Sequence, residues 1–468
     1  MILALTVTLA IVVQDHASLR AAPRVSATEL AALWQGDVLE VRGENAGYLK
    51  VYDLRRERGG YLRSEAVRCV GLTEADAPEL LAVLRFLRDS PGSEALGVSY
   101  GAAYLKAVPP RALTAEPFDA IARMAERLAD QASGSGEHRA SVAAHLEVVG
   151  QFGVRMHTFE RSGRMQVCYD GELFRRVLAL PGASAEQRAR AALGVTRTEC
   201  IDPNLGPVLR ASVDGERQRL LDGIEEHDLS AMTRSRLHVR RAAVWASIAY
   251  ERARRGGPPT VAAQRALTEL LAVQVDALGD NRRADYLDAV VRVGAIRWAT
   301  TLPVSSPGPL SLTAAPGEPG QTCVALVEAA RGARGATRVQ RCTYGIVWLA
   351  SARSIAQGHA LVLAVQPMES WRELWVFRAN AGGWTIDVLS PGADDPEEGY
   401  VEYAGFVPGA RRLLIAREVK EHGRFRRRFE ELRLDDLALV RQANASELLP
   451  EFGRWQDVDW RRDTLALH

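Results

Sequence analysis

The sequence predicts a multidomain α+β protein, with a small β-barrel first, an α-helical, solenoid-like middle domain next and a β-rich carboxyl-terminal domain last. Three observations carry this. Short alternating runs broken by glycine turns fill residues 15–70. Apolar residues at helical spacing recur through residues 74–300. Hairpin signals and six of the nine tryptophans follow residue 340, which suits a packed sheet.

The chain has 468 residues, and domains of about 150 residues suggest three. Apolar residues make up 47% and charged ones 25%, values that exclude disorder, collagen and coiled-coil arrays as the main plan. A net charge of +1 supplies no global field for DNA or RNA, so no nucleic-acid partner is expected. No apolar run reaches about 18 residues, so no integral membrane span is expected.

Residues 1–13 (MILALTVTLAIVV) are apolar apart from two threonines. As helix they would span about 20 Å, short of the about 30 Å hydrocarbon core, but the length suits the apolar region of a signal peptide. Residues 1–14 are therefore expected to be an export leader. The alternative is a first buried strand of the next module, because no Lys or Arg precedes the run.

Residues 15–70 read as five short strands. Leu19-Arg20-Ala21-Ala22-Pro23 opens them, and Leu33-Trp34-Gln35-Gly36-Asp37 makes a turn. Tyr48-Leu49-Lys50-Val51 alternates, and Gly59-Gly60-Tyr61-Leu62 leads into a last strand. The string LRAAP, LWQGDVLEV, GYLKV, GGYLRSEAV resembles the bacterial SH3-like (SH3b) domain, over about 55 of the 468 residues. That family starts on leucine-x-arginine-x-x-proline and closes on glycine-tyrosine-valine. The resemblance implies a small barrel, export, and binding of cell-wall peptide or glycan or an accessory role. This copy departs from the family pattern. Tyr48 stands where tryptophan is common, and Asp53 to Arg58 lengthens a loop. The module's aromatic residues, Trp34, Tyr48, Tyr52 and Tyr61, are the candidate ligand-binding residues, since ring faces stack on sugars or hold peptide side chains.

Helical spacing follows. Leu80, Val83, Leu84 and Leu87 fall on one face, as do Phe118, Ile121, Ala125 and Leu128, and then Leu267, Leu270, Leu271 and Leu278. A small hairpin is expected at Gly163 to Tyr169. Residues 303–321 carry five prolines and read as a linker. In residues 322–468, Asn380-Ala381-Gly382-Gly383 and His422-Gly423 sit between alternating runs as hairpin turns.

The five cysteines form no Cys-x-x-Cys motif. In an oxidising compartment the simplest arrangement pairs Cys168 with Cys200 and Cys323 with Cys342, leaving Cys69. In a reducing one, all five are ordinary buried thiols.

Signals for chemistry are thin. Gly97-Val98-Ser99-Tyr100-Gly101 matches the hydrolase nucleophile elbow, but no strand precedes it, so helix packing by small residues is the expected reading. His138 and His145 could share a helix face, without metal-ligand spacing. The acidic run from Asp394 to Glu398 does not alternate as a calcium loop would. Arg424-Phe425-Arg426-Arg427-Arg428-Phe429 reads as a strand with a basic face that is solvated or touches an anionic polymer. No catalytic constellation, metal site or cofactor is expected. The sequence-level expectation is a non-enzymatic, periplasmic or secreted envelope protein that binds or scaffolds a cell-wall polymer or an envelope protein. The alternative is a cell-wall hydrolase with an SH3-like targeting module.

Overall fold

The structure, a computed structural model, describes residues 8–134, 139–161, 163–279, 283–301, 310–330, 333–392, 398–421 and 424–463. It is a mixed α+β protein with several sheets. The chain divides into two compact units, Met1–Leu205 with Gly223–Leu229, and Gly206–Asp222 with Ser230–His468. The helical stretch predicted for residues 74–300 is shared between them.

The first unit opens with β1 (Leu9–Val12), β2 (Ala17–Arg20), β3 (Glu29–Leu33), β4 (Val38–Asn45), β5 (Tyr48–Asp53), β6 (Arg58–Arg63) and β7 (Val67–Val70). They form one sheet in the order β3-β2-β6-β5-β4-β1-β7. The expected barrel is not closed, because β3 and β7 remain as separate edges. The sheet curls instead. Leu19, Leu33, Leu39, Leu49, Val51 and Leu62 make a core whose buried members all come from the strands and the turn before β7. A sheet with neither a helix nor a second sheet against its inner face buries that face by folding over it. Gly60 marks a close approach in this core, since a Cβ there would lie 2.7 Å from Leu19 Cγ.

Residues 1–7 of the expected leader lie outside the described residues, and Leu9–Val12 is an interior strand of this sheet. β1 is antiparallel to both β4 and β7. Ala10 and Val12 enter the inner core, while Ile11 packs outward against helical residues. A strand buried on both faces reads as a continuous apolar run, so it mimics a leader's apolar region.

Helices α1 (Ala77–Arg88), α2 (Glu94–Ala107), α3 (Ala115–Ser133) and α4 (Arg139–Gly150) follow. The expected hairpin is β8 (Met156–Arg161) with β9 (Arg164–Tyr169), then come α5 (Glu172–Ala179) and α6 (Ala185–Val195). Ser184 caps α6 by accepting the Gln187 N–H at 3.2 Å, with the Gln187 side chain returning the bond. A disulfide joins Cys168 of β9 to Cys200.

The second unit contains α7 (Pro207–Asp222), α8 (Ala231–Arg254), α9 (Thr260–Leu271) and α10 (Arg283–Ile296). Strands β10 (Leu310–Pro316), β11 (Thr322–Ala330) and β12 (Ala333–Thr343) make a three-stranded sheet, so part of the expected linker is a strand. Its Cys323 and Cys342 face each other across β11 and β12 and are disulfide-bonded.

An eight-stranded sheet follows from β13 (Ile346–Ile355), β14 (Ala360–Met368), β15 (Trp371–Asn380) and β16 (Gly383–Leu389). It continues through β17 (Gly399–Val407), β18 (Arg412–Glu421), β19 (Arg424–Arg433) and β20 (Leu439–Ala443). Short helices α11 (Pro450–Trp455) and α12 (Val458–Asp463) end the described chain. Leu361, Leu363 and Val365 of β14 face Val324 and Leu326 of the smaller sheet. Ala364 and Tyr400 face apolar residues of α8, α9 and α10. The unit is thus layered, with β14 buried on both faces.

Candidate binding face

Register places the aromatic residues of the first unit. In β5, Leu49 and Val51 point into the core, so Tyr48, Lys50 and Tyr52 point out. In β6, Leu62 points in and Tyr61 out. Lys50 pairs with Tyr61, Tyr52 with Gly59 and Tyr48 with Arg63, while Arg20 of β2 pairs with Tyr61 on its other side. Directly opposed residues of antiparallel strands share a face, so three of the four candidate aromatics meet on the outer side of β2, β5 and β6. Tyr48 is buried, whereas Tyr52 and Tyr61 are half-exposed.

That outer side is divided. Ile11 and Val38 lie on it too, by register, and are covered by Leu80 and Leu87 of α1 and Tyr100 and Tyr104 of α2. Past β4 toward β5, β6 and β2, polar and aromatic residues replace the apolar ones. Arg42 stacks its guanidinium 3.9 Å from the centre of the Tyr52 ring and reaches Glu40 at 3.3 Å. Gly59, opposite Tyr52, has no side chain to cover the ring. Arg20 donates to the Ala27 carbonyl, and Arg63 pairs with Glu65 at 2.9 Å. Lys50 is exposed and has no ion-pair partner among the described residues. The patch therefore offers two half-exposed phenol rings, their hydroxyls and an available ammonium. Such groups stack on sugar C–H faces and pair with carboxylates.

Trp34 is not part of it. Its ring lies 4.2 Å from that of His16, whose φ of +59° is a left-handed conformation, and 6.2 Å from that of His145. Asp15 accepts from His145 at 2.8 Å (ring nitrogen to carboxylate) and from the Gln35 N–H. Asp37, almost fully buried, accepts the Trp34 N–H at 2.9 Å and sits beside Arg55 and Arg56. Trp34 packs toward the α3–α4 core as an anchor of the turn.

Comparison of the chain with protein-family models, with curated proteins and with solved structures gives no match.

Ser99 sits inside α2, 1% exposed, and donates to the carbonyls of Gly36 and Ala95. No strand-to-helix turn presents it. A Cβ on Gly97 or Gly101 would collide with Met124 or Ile121, so the flanking glycines let α3 approach α2. His138 and residues 394–397 of the acidic run lie outside the described residues. Among the described residues no group of three His, Cys, Asp or Glu side chains converges as a metal site.

Composition and spacing gave no sign of a buried charge cluster in the second unit. Glu369 is bonded to Arg292 at 2.7 Å, to Arg210 at 2.8 Å and to the Ser247 hydroxyl. Despite burial, the two guanidiniums hold its carboxyl down at about 2. Lys420 bridges Asp288 at 3.0 Å and Glu398 at 3.1 Å. Burial, with Glu398 beside it, pushes Asp288 up to about 7. These partners come from elements far apart in sequence, so no local pattern announces them.

Proposed function

We propose that this chain is a non-enzymatic extracytoplasmic protein whose first module is SH3-like and binds a cell-wall peptide or glycan through Tyr52, Tyr61 and Lys50. The observation that carries the reading is the outer face of β2, β5 and β6, where two half-exposed rings flank, in strand register, an ammonium with no ion-pair partner among the described residues. Two disulfides support an oxidising compartment. Among the described residues no helix is long and apolar enough to cross a membrane. The glycine turns and the β4-β5-β6 meander support the SH3-like reading.

Peptidoglycan peptides carry carboxylates and its glycan carries apolar C–H faces, which this mix of cation and phenol matches. The test is co-sedimentation of the purified full chain with insoluble peptidoglycan. Tyr61→Ala and Lys50→Glu are expected to lower the pelleted fraction, and Phe86→Ala, at an exposed site on α1, is not. Equal pelleting of Tyr61→Ala and the parent chain would remove the face from the reading.

A further inference from the structure

β19 outruns the strand beside it. β18 pairs with it from Glu421↔Arg424 to Arg412↔Arg433, whereas β20 reaches only from Phe429↔Ala443 to Leu432↔Leu439. Residues 424–428 thus present a backbone edge with no strand beside it among the described residues. A groove of about 530 Å³ runs along this edge, lined by Phe425, Arg426, Arg427 and Arg428 and bounded by Gln442 and Ala443 at the end of β20 and Asn444 just beyond it.

The edge is basic in a regular way. Strand alternation puts Arg424, Arg426 and Arg428 on one face and Phe425 and Arg427 on the other. Arg426 and Arg428 keep 60% and 42% of their side chains exposed and share a single carboxylate, Glu421, each at 3.3 Å. Two guanidiniums carry about ten N–H donors, and one carboxylate has about four lone-pair sites. Most of the donors therefore remain for another acceptor.

We propose that this edge takes an extended acidic peptide as an added strand in line with β20, its carboxylates opposite Arg424, Arg426 and Arg428. An open edge supplies main-chain hydrogen bonds, and the alternating arginines set the side-chain pattern. Acidic residues at every second position match this comb. A polyanion without amide groups would use the charges and leave the edge unpaired. The proposal stands on residues of the second unit alone and does not rest on the function proposed above.

The test uses the full chain and a fluorescein-labelled eight-residue peptide of alternating Glu and Val, read by fluorescence anisotropy. The peptide is expected to bind, and its Lys–Val counterpart is not. Two further peptides are N-methylated at the odd or at the even amides. One of the two is expected to bind at least about tenfold more weakly, since it lacks the donors that face β19. Arg426→Glu with Arg428→Glu should weaken binding by about tenfold or more through charge reversal. Glu421→Gln releases both arginines and should tighten it, an effect that misfolding would not produce. Unchanged binding of both methylated peptides, no tightening by Glu421→Gln, or preferential binding of polyphosphate or single-stranded DNA would overturn the proposal.

Discussion

Glu418→Gln is expected to stabilise the protein at pH 8 and to leave it unchanged at pH 4. Glu418 of β18 is only 4% exposed, and its Oε2 has no hydrogen-bond partner among the described residues. Tyr400 lies opposite it on β17 and Arg427 opposite it on β19. Burial pushes its carboxyl up to about 7; the Tyr400 hydroxyl and Arg427 pull it back only in part, and Glu402 adds to the rise. An unfolded chain ionises this group near 4.5. Below that pH both states hold the proton and the group costs nothing. Between 4.5 and 7 the unfolded chain releases its proton first, so stability falls as pH rises. Above 7 the deficit is constant, and a gap of about 2.5 pH units corresponds to on the order of 3 kcal/mol. Glutamine keeps an oxygen for Tyr400 and carries no charge, so it removes the deficit. Urea denaturation between pH 4 and pH 8.5, followed by tryptophan fluorescence, reads this unit, because eight of the nine tryptophans lie in it. A stability difference that does not grow with pH, or a glutamine variant less stable at pH 8, would refute the reasoning.

Ile11→Ala should destabilise the first unit by about 2–5 kcal/mol, the usual cost of truncating a fully buried aliphatic side chain. Ile11 is fully buried between β1 and the α1–α2 pair, and the loss should appear as faster hydrogen exchange in β4 and β7. Replacing Cys168 and Cys200 together by serine opens a loop of 32 residues and should lower stability by about 4 kcal/mol, or as much as strain-free loop closure allows. The melting temperature of the parent chain in dithiothreitol should fall in parallel. A reduced chain that melts with the oxidised one would show that the crosslink contributes nothing.

What the sequence discloses follows the range of the interaction. Period-2 alternation in Tyr48-Leu49-Lys50-Val51 and period-3.6 spacing in Leu80-Val83-Leu84-Leu87 are local, and β5 and α1 fall where those patterns put them. The Cys168–Cys200 and Cys323–Cys342 pairings are also local, each within one region. Residues 9–12 are ambiguous because burial on both faces erases alternation, leaving a leader and an interior strand with the same composition. Trp34 shares composition with the three tyrosines, yet its neighbours are His16 and His145, and His145 is more than a hundred residues away. The Glu369 cluster draws Arg210, Ser247 and Arg292 from three helices, and a charged residue on a helix reads as a solvated face until its partner's position is known.

The two proposed recognition surfaces differ in kind, and salt should separate them. The proposed tyrosine patch would work by ring stacking with one ammonium, and stacking on apolar faces is not screened by ions. The proposed β19 edge would work through arginines at 42–60% side-chain exposure, whose pairing weakens as the Debye length shrinks from about 10 Å at 0.1 M to about 3 Å at 1 M salt. Raising salt should therefore release an acidic peptide from the edge and leave most wall polymer on the patch. If salt removes both equally, the patch binds through Lys50 alone, and the rings play no part in recognition.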